Sequence, residues 1–197
     1  YQGITDIPNI CLWLLVCGVL CGVLGGLFAR LLAKGVAGTA PLFCRPFIRR
    51  HPVIVALILG LCLAALGSYS QGQTYGTGYQ VVANALEGQL SDPSVGVLKL
   101  AATVFTYWNG VAGGIFTPSL TTGAGIGVML WDISGGVIDQ RFLVLLCMAA
   151  FLAGATQSPV TSGVVVMEMT GAQPVLIWLL ISGIIAAIIS RQFNPKP

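Results

Sequence analysis

The most specific stretch of this sequence is Gly110-Val111-Ala112-Gly113-Gly114-Ile115-Phe116-Thr117-Pro118-Ser119-Leu120. Glycine carries no Cβ and lets a backbone come close to a ligand. Proline suits the first turn of a helix, where its missing N–H has no intrahelical role. Together they predict a flexible linker that delivers a helix start, with Pro118 suited to its first turn. Such a start exposes unpaired N–H groups and about half a unit of positive charge, which attracts an anion. The neighbouring Ile115 and Phe116 are apolar and add no full charge. An ion held by main-chain dipoles alone is bound yet able to leave, as conduction requires. A lysine at that place would tend to trap it.

Other chemistry-bearing residues are few. Lys99 and Glu168 stand alone inside apolar segments. A carboxylate there costs about 2.5–3.5 kcal/mol on insertion scales, so Glu168 asks for a reason. Lys99 could tune the potential of an anion path, or reach an interface with its stem in apolar contact. The single histidine, His51, follows two arginines and precedes Pro52, as a solvated loop residue would. Of the six cysteines (Cys11, Cys17, Cys21, Cys44, Cys62, Cys147), all but Cys44 lie in apolar runs, and none form a Cys-x-x-Cys pair. Cys17 and Cys21 would share a helix face, which permits a soft metal site in principle. Small buried hydrophobes are the preferred reading, with no metal or cofactor expected. With no His-Glu-x-x-His or Gly-x-Ser-x-Gly segment, acid–base machinery is scarce and an enzyme is not expected.

The elements that must position these residues are apolar. The chain is 56% hydrophobic and 8% charged over 197 residues. Soluble domains carry about 25% charged residues, so too little polar surface exists to cover a water-facing globule. Lipid is the expected solvent. Net charge is only +3, and the aromatics fall within apolar runs rather than on a basic face, which excludes a nucleic-acid partner.

Residues 10–29 are uncharged and long enough to cross hydrocarbon. Gly18, Gly22 and Gly26 recur on one face of that helix as a predicted packing seam. Residues 34–52 are polar, and five of the nine basic residues fall between Arg30 and Arg50. Charge bias would place this linker in the cytoplasm. Residues 53–66 are apolar but short for a perpendicular span, and residues 67–78 read as loop. An amphipathic stretch follows at 79–90, then helices at 95–108, 119–131, 142–156, 159–170 and 174–191. Several fall short of a crossing and are separated by Gly, Pro, Ser and Thr. Half-helices of this kind are the pattern of a transporter-like core, and no period-two alternation suggests a β-barrel.

Gly114-Ile115-Phe116-Thr117-Pro118 resembles the Gly-x-Phe-x-Pro signature of the CLC family of chloride channels and chloride/proton exchangers. Four further features agree in order and spacing. Residues 158–170, ending Glu168-Met169-Thr170, resemble a late helix of the family. Gly76-Thr77-Gly78-Tyr79 resembles a Gly-rich helix lead-in, and Lys99 stands where the family has a basic residue. Ile4-Thr5-Asp6-Ile7-Pro8 resembles the approach to the second half of the transmembrane domain.

The resemblance implies an all-α integral membrane bundle of tilted and broken helices, one half of an inverted-topology repeat occupying residues 1–197. The first half and the last helix, with the gating glutamate, the proton-carrying glutamate and two chloride-contacting side chains, would lie outside this sequence. It implies chloride as the bound and transported ion, with the amides of Ile115 and Phe116 contacting it. Gly113, Gly114, Thr117 and Pro118 would shape the turn, and Lys99 and Glu168 would be structural or electrostatic. A carboxylate satisfied by local hydrogen bonds is preferred for Glu168 over a proton relay, because the family's proton glutamates match no position here. A homodimer in the plasma or inner membrane is expected, paired through helices 10–29, 159–170 and 174–191. The resemblance places the basic linker outside, against its charge bias. Channel and exchanger remain equal readings. The alternatives are a secondary transporter of another small anion and a noncatalytic membrane assembly subunit.

Overall fold

The computed structural model describes residues 10–40, 45–89, 92–111 and 113–193, with the side chains of Ala37 and Arg49 excepted. Ile4–Pro8 of the sequence resemblance, Cys44, Leu90, Ala112 and Asn194–Pro197 lie outside the described residues. The described elements, all helical, run α1 (Ile10–Thr39), α2 (Arg45–Arg50), α3 (Pro52–Tyr69), α4 (Tyr79–Leu86), α5 (Val95–Trp108), α6 (Phe116–Ile133), α7 (Gln140–Thr156), α8 (Pro159–Thr170) and α9 (Leu176–Ser190). Among the described residues there is no strand.

Three segments, Ile10–Val36, Pro52–Tyr69 and Gln173–Ser190, are long and apolar enough to cross a membrane. The helices at Val95–Trp108 and Gln140–Thr156 are apolar but shorter. That mixture of full and partial spans is the one the sequence pattern predicts.

α7 is the centre of the bundle. It packs against α1, α6, α8 and α9, and from Phe142 to Gly154 every residue is buried. Asp139 caps its start, its side chain accepting a hydrogen bond from the N–H of Arg141 at 3.1 Å; such a cap satisfies one of the orphan donors of a first turn.

The glycine seam of α1 faces α9. A Cβ on Gly22 would lie 2.8 Å from the carbonyl oxygen of Ala186, and one on Gly26 would lie 2.8 Å from Ser190 Oγ. The backbones therefore touch, which only small residues allow. α6 is held the same way from two sides. A Cβ on Gly127 would sit 2.6 Å from Val144 Cα of α7, and one on Gly125 would sit 2.4 Å from Gly96 Cα of α5.

Several boundaries differ from expectation. α1 runs to Thr39 rather than Ala29, with a kink at Gly35 (φ 63°, ψ 179°). Arg30 and Lys34 do not end it, because long basic side chains can project outward while the backbone stays helical. The polar linker 34–52 is correspondingly shorter and contains α2. α3 extends to Tyr69 and reaches 18 residues, enough for a crossing. Its last turn is stabilised by Ser70, whose N–H donates to the carbonyl of Leu66 at 3.0 Å. α4 ends at Leu86, α7 begins at Gln140, and a 3-10 turn at Gln173–Val175 leads into α9. α5 and α8 match the predicted bounds.

Candidate anion site

α6 begins at Phe116, three residues before the expected start, with Ile115 as its N-cap. Pro118 is therefore the third helical residue, within the first turn as expected. The placement follows from helix geometry. The N-cap and the first three residues all lack intrahelical acceptors for their N–H groups. Proline at the third place gives up a donor that the helix does not use. The first closing bond is Ser119 N–H to the Ile115 carbonyl at 3.1 Å.

What remains at the start is the N–H of Ile115, Phe116 and Thr117. Among the described residues none of these donates to a protein acceptor. Ser119 does not compete for them, since its hydroxyl donates back to the Ile115 carbonyl at 2.6 Å. Gly113 and Gly114 are exposed and a Cβ on either would meet nothing within 4 Å, so the approach to the turn is open.

Two hollows flank this helix start. One, of about 500 Å³, is lined by Thr74, Gly76, Lys99, Gly114, Ile115 and Pro118 among others. The second, of about 350 Å³, reaches Thr117 and Leu120 from the other side, beside Tyr79. Phe116 itself is 40% exposed. No carboxylate lines the first hollow. Unpaired N–H groups and a helix dipole, with the Lys99 ammonium among the residues lining the first hollow, together make a place where a small anion can rest.

Lys99 corrects one expectation. It does not reach an interface: only 2% of it is exposed. Its ammonium turns inward and donates to the carbonyls of Thr74 at 2.8 Å and Gly76 at 2.7 Å. The physical reason is that the loop between α3 and α4 folds over α5 and offers two bare carbonyls, which satisfy a desolvated ammonium better than a distant interface can.

Glu168 also departs from the preferred reading. It is exposed on α8, and among the described residues it makes no hydrogen bond. It stands three residues before the Gly171 cap, and it lines neither of the two hollows beside the α6 turn. The cysteines divide: Cys17, Cys21 and Cys147 are buried, while Cys11 and Cys62 are exposed on apolar helices. His51 is the N-cap of α3, and its ring lies tilted against that of Phe47 with centroids 5.1 Å apart.

Thr121 was missed at the level of sequence. Its hydroxyl lies 3.0 Å from the Thr117 carbonyl and 3.1 Å from the Thr77 carbonyl. A threonine back-bonding to the fourth residue before it is an ordinary feature of a helix, so spacing gives no hint of the second contact.

The architecture and the turn have counterparts among known proteins. The family model described as "Voltage gated chloride channel" matches residues 4–191. The voltage-gated ClC-type chloride channel ClcB of Salmonella typhimurium is 35% identical over 149 residues, covering 70% of this chain and 35% of that protein. ClcB of Citrobacter koseri is 32% identical over 182 residues, covering 83% and 42%. The crystal structure of a CLC-type fluoride/proton antiporter superposes with a TM-score of 0.80 at 27% identity, over 98% of this chain and 47% of that one. The chain thus spans less than half the length of these three relatives. With its full spans, its broken helices and a family match that takes in the α6 turn, this membrane protein belongs to the voltage-gated chloride channel (CLC) family.

Proposed function

We propose that this chain supplies one wall of a chloride pathway, in which the amides of Ile115 and Phe116, with Thr117 beside them, hold the ion. The observation that carries the reading is the set of three main-chain donors at the start of α6 that meet no protein acceptor among the described residues, with Ile115 lining a hollow that no carboxylate lines. The turn of Gly113, Gly114, Thr117 and Pro118 sets the direction of those donors. The match to the voltage-gated chloride channel family supports transport as the activity. Lys99 serves the site structurally and Glu168 lies apart from it. The reading covers both a channel and a proton-coupled exchanger.

The protein acts in the cell membrane as a homodimer, with the rest of the transmembrane domain completing each pathway. The glycine face of α1 is used against α9 within the chain. The outward faces of α8 and α9 are left for pairing, where Val160, Val164, Ile177, Ile181, Ile184 and Ile188 are exposed.

Bromide soaking of crystals of the full-length protein tests the site. Anomalous density is expected within hydrogen-bonding reach of the amides of Ile115 and Phe116, and its absence there would defeat the assignment. A second reading, transport of another small anion, is favoured by one observation: the structural neighbour at TM-score 0.80 is described as a fluoride/proton antiporter. Flux into liposomes with chloride and fluoride electrodes separates the two.

A further inference from the structure

A continuous polar thread links the buried ammonium of α5 to the first turn of α6. Lys99 Nζ donates to the carbonyls of Thr74 and Gly76 at 2.8 and 2.7 Å. On the same loop, Thr74 is fixed by Ser70, whose Oγ lies 2.9 Å from Thr74 Oγ1. The next carbonyl along, that of Thr77, lies 3.1 Å from the Thr121 hydroxyl. That hydroxyl is also 3.0 Å from the carbonyl of Thr117, in the first turn. Gly78 then lies flush on Thr121: a Cβ there would come within 2.6 Å of its side chain, and its φ of +83° is one that side-chain-bearing residues rarely adopt.

We propose that Lys99 is a positioning residue: it clamps the 74–78 loop, and the loop, through Thr77 and Thr121, fixes the aim of the amides of Ile115 and Phe116. This rests on the anion reading above. The role differs from that of a free positive charge. Two of the three N–H donors of the ammonium go to carbonyls, which ties it to the loop backbone. A single hydroxyl shared between the loop and the first turn passes the constraint on. Loss of Lys99 leaves the buried Thr74 carbonyl without this partner, and loss of the Thr121 hydroxyl releases the Thr77 carbonyl from α6; either favours rearrangement of the loop.

The test uses the full-length protein carrying Lys99→Met, Thr121→Val, Thr121→Ser, and Lys99→Met combined with Thr121→Val. The readouts are half-saturation for chloride flux and the chloride-to-fluoride permeability ratio. Thr121→Val changes no charge, yet it is expected to raise half-saturation about three- to tenfold and to shift the ratio, as coupling through a packed network does. Thr121→Ser keeps the oxygen and is expected to stay within twofold of wild type. The double variant is expected to be no worse than Lys99→Met alone, because both act through one loop. Should Lys99→Met fail to fold, the Val and Ser variants at Thr121 decide by themselves. If Thr121→Val behaves as wild type while Lys99→Met weakens all anions alike, the lysine acts by charge and the proposal falls. Failure of the underlying reading looks different: wild-type crystals would then show no bromide at Ile115 and Phe116.

Discussion

The tightest backbone-to-backbone approach between two helices gives the sharpest perturbation. A Cβ on Gly125 would lie 2.4 Å from both Cα and N of Gly96, where ordinary contact begins at 3.4 Å. Gly125→Ala therefore requires α5 and α6 to part by about 1 Å, with both atoms belonging to backbone that cannot swing aside. Forcing an extra carbon into a packed interior costs about 1–3 kcal/mol. The displacement also reaches the start of α6, nine residues earlier. A half-charge acting on an anion about 4 Å away at an effective dielectric near 20 contributes about 2 kcal/mol, and a retreat of about 1 Å removes about 0.4 kcal/mol of it. Lengthened hydrogen bonds to a charged acceptor add a loss of about 1 kcal/mol. Halide affinity should fall about tenfold, measured by titration calorimetry on the purified full-length protein. The thermal midpoint in detergent should fall with it. Unchanged affinity together with an unchanged midpoint would refute the reasoning, since it would show that the two helices are not in backbone contact.

Two further outcomes follow from contacts of the same kind and from one that is missing. Gly22→Leu must displace the Ala186 backbone 2.8 Å away, so it should lower the thermal midpoint of the full-length protein clearly; an unaltered midpoint would count against the α1–α9 seam. Glu168→Gln removes an exposed carboxylate that makes no hydrogen bond among the described residues and lines neither hollow beside the α6 turn. Chloride half-saturation measured in liposomes should stay within about twofold of wild type, the range expected when no interaction is lost.

Legibility in the sequence followed the range of the interactions involved. α5 and α8 were readable to the residue because local punctuation sets them: Pro93 and Gly110 bracket one, Pro159 and Gly171 the other. The Gly18, Gly22, Gly26 stripe announced a close helix contact but not its partner, since α9 lies more than 150 residues downstream. The end of α1 was misplaced because Arg30 and Lys34 look like a boundary, although a charged side chain leaves the backbone bond pattern untouched. The anion-facing turn was legible as residue types, but its register was not: the donors that remain depend on Pro118 falling at the third helical position. The inward fold of Lys99 was invisible, because its acceptors are main-chain carbonyls 23 and 25 residues away whose identity the sequence does not record.

The pinning of α6 between α5 and α7 bears on how a pathway beside it could open. A helix whose main chain already touches the main chain of a neighbour on either flank, at Gly125 and at Gly127, has no slack to slide, roll or tilt. Packed interiors switch between discrete arrangements instead of yielding gradually. On the proposed anion reading, whatever admits or releases the ion moves against a stationary α6, and conformational exchange measured along that helix should be the slowest and smallest in the bundle.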